Sequence, residues 1–419
     1  MSTETDYCDV LVIGSGLAGM AASFFALDQG LKTIQTGDSS PLQFYSGFFD
    51  LLGVHPIADK KTWENPWDAM AQLCQDIPNH PYAFLSKDQI LKAAKLWLNF
   101  LETLTISYDY IPNKNINAIT PIGSQKPTHA APKHIWTGIS CFMQRQSALL
   151  IDIDGLKGFS ARQIKEALQN DWPELETTRI SFPNTSGEVF TGHMASALES
   201  SSVQKQLADL LLPRVQRVQC IGFPAILGSH YHQKVCENLE QMLGKPVFEI
   251  PTLPPSMPGI RLRNAITQGL TKKGGQLFQN SVTHVEPDGK YGFIATSDHK
   301  KIFAKNIILA TGRFMGKGLI ANRKTIQEPL LQLPVYQPES RKNWHDKQFF
   351  NPKGHDIHQA GIEVDNTFRP IDQDKKVLYD HLFAIGSILA HNDWMRHKCG
   401  SGLAVATAFG AVQQIKHSK

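Results

Sequence analysis

Three glycines near the N-terminus have the spacing of a phosphate-binding turn. Gly14, Gly16 and Gly19 form the pattern G-x-G-x-x-G directly after the apolar run at residues 9–13. In such a turn the first glycine permits the sharp bend, the second lets the backbone approach a phosphate, and the third lets helix and strand pack closely. The phosphate meets the free N–H groups and the positive end of the following helix. A plain tight turn between strand and helix is the competing interpretation.

The residues after the second predicted strand bear on which nucleotide is bound. A dinucleotide-binding fold normally follows this strand with an acidic residue that holds the adenosine ribose. Residues 34–47 read IQTGDSSPLQFYSG, with Gly37 at that place and Asp38 one residue later. The pattern therefore leaves room for a mononucleotide, or for a dinucleotide held by backbone contacts and Asp38.

Two later strands end in small residues, as strands do when they pass close to a planar ligand. One apolar strand is predicted to end at Ala310-Thr311-Gly312, and the run LFAI ends at Gly386-Ser387. Small residues suit these positions because the backbone must pass the ligand edge-on with no side chain in the way.

The segment PTLPPSMPGIRLRNAI is unusually rich in proline. Proline fixes the backbone in an extended form and removes hydrogen-bond donors, so residues 251–258 form a rigid approach to the helix that follows. Such a segment suits a crossing between domains over a cofactor cleft. Arg261 and Arg263 could then face a phosphate with the fixed fork of their guanidinium groups. Solvated surface arginines are the alternative.

The elements that must position these residues alternate between strand and helix. Residues 9–36 predict a β–α–β unit, residues 142–251 predict a second α/β unit, and a hairpin is predicted around residues 287–289. The predicted fold class is α/β: a Rossmann-like domain assembled from N- and C-terminal segments, with an inserted α/β cap domain. The predicted boundaries are 6–55, 262–330 and 378–419 for the first domain, and 56–261 with 331–377 for the cap.

Length and composition fit two folded domains and exclude several classes of protein. The 419 residues are 42% hydrophobic and 19% charged, as in globular rather than disordered chains. The net charge of +4 comes from dispersed Lys and Arg, which argues against nucleic-acid binding. No apolar run approaches the ~20 residues of a membrane span. The polar start MSTETDYCD lacks the pattern of a signal peptide.

The six cysteines are scattered along the chain and show no C-x-x-C spacing. That distribution argues against an iron–sulfur cluster or a zinc site, and it indicates reduced thiols in a cytoplasmic setting. The sequence therefore predicts no bound metal.

The distribution of the glycine motifs resembles one superfamily of flavoproteins. An N-terminal β–α–β unit, a later ATG strand and a final GS strand are similar to the glutathione-reductase-like flavoproteins, especially the succinate dehydrogenase and fumarate reductase branch. In that branch a Ser-Gly turn lies along the flavin, and Ser46-Gly47 matches it; a surface turn is the alternative. The resemblance also implies that the terminal helix, opened by Gly400-Ser401-Gly402, aims its positive end at the flavin pyrimidine edge. An ordinary Ser/Gly helix cap is the competing interpretation.

Four sequence blocks narrow the resemblance: SGFFDLL, PTLPPSMPGIRL, GLIANRKTIQEPLLQL, and LFAIGSILA with CGSGLAVATA. On these blocks the chain resembles the B subunits of the anaerobic, quinone-linked glycerol-3-phosphate dehydrogenases over essentially its whole length. The resemblance implies FMN as the cofactor, with FAD as the close alternative. It implies two partners, a catalytic A subunit and an iron–sulfur, membrane-associated C subunit. Such a complex oxidises sn-glycerol 3-phosphate to dihydroxyacetone phosphate and passes electrons to the quinone pool during anaerobic respiration, so the chain would lie at the inner face of the cell membrane.

The motifs and the resemblance together predict a set of cofactor contacts from several distant segments. We expect all of them to converge around one flavin. The predicted cofactor-binding residues are Gly14, Ser15, Gly16, Leu17, Ala18, Gly19, Asp38, Ser46, Gly47, Ala310, Thr311, Gly312, Gly386, Ser387, Gly400, Ser401, Gly402 and Leu403.

The predicted chemistry passes a hydride from the substrate to the flavin while a base takes the hydroxyl proton. Histidine is the default base because its pKa lies near neutrality. His391, in HNDWMRHKCGSG, is the candidate by position, and Arg261 is the candidate ligand of the substrate phosphate. A packing or surface histidine is the alternative. Arg396 and His397, in the same stretch, could bind that phosphate or cover the flavin.

Two other functions stay open at this point. One is an electron-transfer or assembly subunit that binds flavin and performs no substrate chemistry, because the sequence shows no convincing acid–base pair. The other is a free-standing oxidoreductase similar to fumarate reductase or to ketosteroid dehydrogenase, which the proline-rich block argues against.

Overall fold

The structure, a computed structural model, describes residues 5–38, 41–185, 187–297 and 300–417. Its helices are α1 (Leu17–Asp28), α2 (Pro66–Asp76), α3 (Lys87–Thr103), α4 (Lys133–Met143), α5 (Ala161–Leu168), α6 (Thr191–Ala197), α7 (Ser201–Leu211), α8 (His232–Leu243), α9 (Met257–Lys272), α10 (Trp394–His397) and α11 (Gly400–His417). Its strands are β1 (Thr5–Ile13), β2 (Thr33–Thr36), β3 (Tyr108–Tyr110), β4 (Ile116–Ile119), β5 (Gln125–Thr128), β6 (Ala130–Pro132), β7 (Ala148–Ile153), β8 (Leu175–Ile180), β9 (Cys220–Pro224), β10 (Val247–Ile250), β11 (Gln276–Phe278), β12 (Val282–Asp288), β13 (Gly292–Ser297), β14 (Lys300–Leu309), β15 (Ile320–Ala321), β16 (Ile326–Gln327), β17 (Val335–Tyr336), β18 (Gly361–Ile362) and β19 (Leu382–Ala384).

The chain forms two compact units, and each is built from separated stretches of sequence. The first unit contains Met1–Pro41, Asp50–Phe100 and Ile266–Lys419, and the second contains Leu42–Phe49 and Leu101–Ala265. The α/β fold class, with a Rossmann-like domain assembled from both ends of the chain, is confirmed. Among the described residues, no helix has both the length and the apolar character needed to cross a bilayer.

A mixed sheet forms the core of the first unit. Its strands run in the order β11-β2-β1-β14-β13-β12, and β19 pairs with β14 beyond the end of β13. Strands β2, β1, β14 and β19 pair with one another in parallel, with Leu11 opposite Ile307 and Ile307 opposite Leu382. These three side chains are fully buried, as expected for parallel strands covered on both faces. The antiparallel pair β12–β13 confirms the predicted hairpin.

The division of the chain differs from the predicted boundaries at residues 56–100, which belong to the first unit and not to the cap. The physical reason is aromatic packing between α3 and α1. The ring of Phe24 stacks on Phe100 at 4.2 Å between centroids and meets Trp97 edge-on at 6.0 Å. The large area that such rings bury holds α3 against the Rossmann-like sheet.

Three other stretches also lie in a different unit from the one predicted, and the shortest is residues 262–265, which belong to the second unit. Residues 331–377 join the first unit, where Ile362 bridges to Leu389 and the Phe368 carbonyl accepts a hydrogen bond from Ala384 N at 2.9 Å. Residues 42–49 join the second unit, because the Phe49 backbone pairs with Ala130 at 2.8 Å.

The second unit contains the α/β segment predicted for residues 142–251. Its parallel strands run in the order β10-β9-β7-β8, and the order reverses between β7 and β9. Strand and helix faces share one apolar core, represented by the buried side chains of Leu150, Ile221, Phe223, Leu239 and Phe248.

Candidate functional site

The turn between β1 and α1 has the backbone that the glycine pattern predicts. Gly14 has a φ of +130°, and a Cβ atom there would overlap the carbonyl of Ala310, which directly follows the neighbouring strand β14. Gly14 N donates to Thr36 O at 2.8 Å, which ties the turn to β2. A Cβ on Gly19 would overlap Gly14 O, so helix and strand approach as closely as the pattern requires. Only glycine fits at both positions.

The N-terminus of α1 is suited to bind a phosphate. Its cap residue, Gly16, makes no side-chain capping bond, and the first turn contains no acidic residue. The first helical N–H groups, from Leu17, Ala18 and Gly19, have no partner within the helix, because intrahelical bonds begin with Met20 N to Gly16 O. Free N–H groups at the positive end of a helix fit a flavin phosphate.

The ends of three parallel strands lie side by side at this turn. Ala310 N donates to Ile13 O at 2.8 Å, and Ile385 N donates to Leu309 O at 3.0 Å, so β1, β14 and β19 end together. The predicted residues that follow these strands are thereby brought into one place. This is the arrangement expected where a ligand binds at the carboxyl ends of a parallel sheet.

Small and polar residues line the region where the strands β1, β14 and β19 end. Gly386 has a φ of +71°, and a Cβ there would be 2.6 Å from Ala18 Cβ. Gly312 has a φ of +69°, and its Cβ position is 3.5 Å from Ser387 Oγ. The Oγ1 atom of Thr311 is buried and has no hydrogen-bond partner among the residues that the structure describes. An unpaired buried hydroxyl between these glycines fits a polar ligand atom.

Dinucleotide-binding folds usually have an acidic residue that binds the ribose at the position of Gly37. Here the phosphate loop leaves no room for a side chain at that position. A Cβ on Gly37 would be 2.8 Å from the backbone nitrogen of Ser15. Asp38, the alternative contact, is exposed.

The N-terminus of α11 is covered by another segment of the chain. Gly402 N donates to Asp50 O at 2.7 Å, and Ser401 Oγ accepts from Asp50 N at 2.6 Å. A Cβ on Gly402 would be 2.7 Å from Asp50 O. Leu403 is buried, and its N–H donates to Cys399 O at 2.9 Å. Gly400 packs on Trp394. These bonds satisfy part of the helix end that we expected to face the flavin.

The Ser46-Gly47 turn belongs to the second unit. Gly47 has a φ of +88°, its Cβ position is 3.3 Å from Pro132 and Pro258, and its carbonyl accepts from Tyr108 Oη at 2.7 Å. The turn therefore packs tightly among prolines, and its predicted contact with the flavin stays a prediction.

Arg261 is an internal ion-pair residue of the second unit, and this geometry does not support the predicted phosphate contact. Its two terminal nitrogens bond both carboxylate oxygens of Glu249 at 2.6 and 2.9 Å, and its Nε donates to Gly228 O at 2.7 Å. Both side chains are buried. Burial alone would raise the pKa of Glu249, but the charge and hydrogen bonds of Arg261 hold it well below its usual value. The guanidinium group of Arg261 thus makes these hydrogen bonds within the second unit. Arg263 is exposed.

His391 is paired with a carboxylate. Its Nε2 lies 2.9 Å from Glu363 Oε1, its ring is 4.1 Å from the ring of Tyr336, and its backbone has a φ of +60°. Burial opposes the charge of Glu363, but the hydrogen bonds from His391 and Lys375 lower its pKa overall. A carboxylate that accepts from Nε2–H leaves Nδ1 as the basic nitrogen of a neutral ring.

Arg313 is a positioning residue that sequence reasoning missed. It follows Ala310-Thr311-Gly312 directly, and it donates to Leu389 O at 2.9 Å, to Asn392 O at 2.8 Å and to His358 O. Burial lowers its pKa to about 10. Its bonds fix the backbone on both sides of His391. The signal in the sequence was an arginine placed immediately after a strand that ends in small residues.

Comparison with known families agrees with this geometry. A family profile described as FAD binding domain matches residues 9–403. The Rossmann-like sheet, the glycine turn and this match define a flavin-dependent oxidoreductase of the FAD-binding class, as expected for the fumarate reductase branch.

Comparison with individual proteins shows which family of this class the chain belongs to. The B subunit of the anaerobic glycerol-3-phosphate dehydrogenase from Vibrio cholerae serotype O1 (strain M66-2) is 30% identical over 430 residues, which cover 97% of this chain and 96% of that protein. The B subunit of the same name from Aliivibrio fischeri (strain MJ11) is 28% identical, with 97% and 95% covered. A solved 3-ketosteroid delta1-dehydrogenase from Sterolibacterium denitrificans is 12% identical, with 99% and 100% covered and a TM-score of 0.47. The chain belongs to the family of anaerobic glycerol-3-phosphate dehydrogenase B subunits.

Proposed function

We propose that the chain is the flavin-binding subunit of a respiratory dehydrogenase that oxidises sn-glycerol 3-phosphate to dihydroxyacetone phosphate and passes electrons to the quinone pool. The observation that supports this most is the match to B subunits of that name over 97% of this chain and 96% of theirs. The phosphate-binding turn at Gly14 and the clustered strand ends supply the site that such a function requires.

The residues of the chain have separate tasks in this reaction. A bound flavin would supply the acceptor for a hydride from the substrate C–H bond. The N–H groups at the start of α1 hold the flavin phosphate. His391 takes the hydroxyl proton at Nδ1, while Glu363 holds its Nε2–H and so fixes the tautomer and the ring orientation. Arg313 fixes the loop that carries His391.

The proposed flavin is FMN, with FAD as the alternative. The contact between Gly37 and Ser15 supports FMN, because it removes the usual acidic partner of an adenosine ribose. The matched family profile, FAD binding domain, supports FAD. Heat release of the flavin followed by chromatography distinguishes the two nucleotides.

The proposed partners are a catalytic A subunit and an iron–sulfur C subunit that attaches the complex to the inner face of the cell membrane. The relatives are themselves named as subunits, which supports a multi-subunit assembly. The small phosphorylated polyol is the proposed substrate of the complex.

An anaerobic reduction experiment tests the proposal. The flavin-loaded chain is mixed with sn-glycerol 3-phosphate, and its visible absorbance is followed, with sn-glycerol 1-phosphate as the matched control. We expect bleaching with the first enantiomer only. An absence of bleaching, both for the chain alone and after addition of the A and C subunits, would rule the proposal out.

A second function is supported by the position of Arg261. Its guanidinium group is bonded to Glu249, so Arg261 does not supply the phosphate contact expected of a substrate-binding subunit. The chain would then receive electrons from the A subunit and perform no substrate chemistry. Bleaching that requires the A subunit supports this function, and bleaching by the chain alone excludes it.

A further inference from the structure

Three buried side chains of metal-binding type meet in the first unit, outside the predicted flavin contacts. His80, His397 and Cys399 each offer one ligand atom, and these atoms lie within 4.8 Å of one another. The residues are 0%, 2% and 0% exposed. Two imidazoles and one thiol are a ligand set typical of zinc and related transition-metal ions.

One ring nitrogen of each histidine in this cluster has no hydrogen-bond partner among the described residues. His80 Nε2 and His397 Nδ1 are buried and unpaired, and so is Nδ1 of the adjacent His55. The ring of His397 lies 5.6 Å from that of His55 and 5.8 Å from that of His80. A buried polar atom left unpaired destabilises the fold, because it has lost its hydrogen bonds to water. Three such atoms in one place indicate a ligand that binds them.

Local structure aims these groups at one point. His80 caps the short 3-10 turn Pro81–Phe84 through Nδ1, which accepts from Tyr82 N at 3.2 Å and leaves Nε2 facing the cluster. Lys398 has a φ of +53°, and this left-handed residue turns the chain between His397 and Cys399. Cys399 immediately precedes α11, where the positive helix end favours a thiolate.

Charge near the cluster suits a cation. The negative charges of Asp50 and Asp393 act on the Cys399 thiol. Those carboxylates favour a dication at the same place, which would deprotonate the thiol on binding.

One existing contact competes with metal binding. A metal on His80 Nε2 requires the ring proton to move to Nδ1, which breaks the bond from Tyr82 N. That bond is long at 3.2 Å, so its loss costs little stability. Metal–ligand bonds to two nitrogens and a thiolate outweigh such a loss.

A second cluster, formed by His134, His232 and Glu249, does not fit a cation equally well. Both carboxylate oxygens of Glu249 already bind Arg261, at 2.6 and 2.9 Å. The fixed positive charge of the guanidinium would repel a dication there.

We propose that His80, His397 and Cys399 bind one transition-metal ion of the zinc class. Three protein ligands leave a fourth position for water, on the side of His55. His55 Nε2 lies 2.8 Å from Asp76 Oδ2, and its buried Nδ1 has no hydrogen-bond partner among the described residues, so the ring is placed as an outer-shell histidine next to His397. Motif spacing could not reveal the site, because His80 lies far from His397 and Cys399 along the chain.

Metal analysis of the purified full-length chain, with flavin content measured in parallel, tests this site. We expect about one equivalent of bound zinc per chain after incubation with zinc and desalting. Exchange for Co²⁺ is expected to give ligand-field bands at wavelengths longer than flavin absorption and a thiolate-to-cobalt charge-transfer band. H397N should abolish stoichiometric binding, and C399S should remove the charge-transfer band. The matched controls are C8S and H129N, which alter a buried cysteine and a buried histidine elsewhere.

Several outcomes would overturn the proposal. One is a chain that binds no stoichiometric zinc or iron(II). Another is metal retained in both H397N and C399S, which would place it at other residues. If the variants fail to fold, the Co²⁺ spectrum of the unaltered chain decides the question, because a spectrum without thiolate charge transfer contradicts ligation by Cys399. None of these readouts depends on substrate oxidation, so they stand apart from the proposed function.

Discussion

Gly37 lies against the backbone of Ser15, in the loop that is predicted to bind the flavin phosphate. A Cβ atom on Gly37 would be 2.8 Å from Ser15 N, a distance that real Cβ atoms do not reach without movement of one partner. Glycine is therefore required at position 37 by the packing of the phosphate loop. The same packing explains why the usual acidic residue is absent from that position.

The first prediction follows from this contact. G37A should push the Ser15 loop away from its position and weaken flavin binding about tenfold or more, because a shifted loop loses about 1.4 kcal/mol or more of phosphate contacts. G289A is the control, since nothing lies within 4 Å of its Cβ position. Flavin titration by fluorescence measures both. Equal affinities for G37A and the unaltered chain would show that the loop does not bind the cofactor.

The second prediction concerns the ion pair between Glu249 and Arg261. R261M and E249M should each lower the free energy of unfolding by about 3–5 kcal/mol, because each leaves one buried charge without its partner. The double variant should lose less than either single variant. R263M makes the same change at an exposed neighbour and should be nearly neutral. Urea unfolding measures these values, and additive losses in the double variant would contradict the buried-charge account.

The third prediction is a dependence of stability on pH. Burial, together with the charge of Arg261, lowers the pKa of His232 to about 4 in the folded chain, against about 6.5 when unfolded. Between these values the unfolded chain binds more protons, so stability is lost as pH falls from about 6.5 to about 4. H232N should flatten this part of the stability profile, while H284N, at an exposed histidine, should not. An unchanged slope in H232N would exclude His232 as its source.

The fourth prediction tests the proposed base. H391N should slow flavin reduction by substrate about 100-fold or more without changing flavin content, because a general base contributes that much. E363Q should slow it less, since Gln can still accept from His391 while holding it less firmly. H345N, at an exposed histidine, is the control. Stopped-flow single turnovers measure these rates, and an unaltered rate in H391N would remove His391 from the mechanism.

The fifth prediction concerns the packing of α3 on α1. F24A should destabilise the chain by about 3–5 kcal/mol, because it empties the space between Phe100 and Trp97. F24L should cost less, since it keeps most of the buried volume. Thermal unfolding with F44A as an exposed control measures the difference. A small loss in F24A would mean that α3 is held by other contacts.

The sequence was informative where local geometry forces a residue type. Gly14 and Gly19 must be glycines because backbone atoms occupy the space of their side chains, and such requirements leave a readable pattern. The strand ends at Ala310 and Gly386 were readable for the same reason. Apolar runs bounded by small residues predicted their parallel pairing, because strands buried on both faces contain few polar residues.

The sequence was uninformative where the partner is chosen by tertiary packing. The apolar periodicity of α3 predicts that one face of the helix is buried. It does not identify Phe24 of α1 as the residue that packs on that face. Asp50 covers the start of α11 although it lies far from Ser401 in sequence. An arginine such as Arg261 has the same local pattern whether it faces a phosphate or Glu249, so its role depended on the folded geometry.

The order of strands has a consequence during synthesis. Strand β1 leaves the ribosome early, yet its neighbour β14 and the strand beyond it, β19, are made near the end of the chain. Closing so long a loop is entropically costly and slow. The strands β7 to β10 are all complete by Ile250, so their sheet can assemble while β1 is paired only with β2 and β14 is not yet made. We therefore expect newly made chains to pass through a state in which the β7–β10 sheet is formed and β1 lacks its pairing with β14.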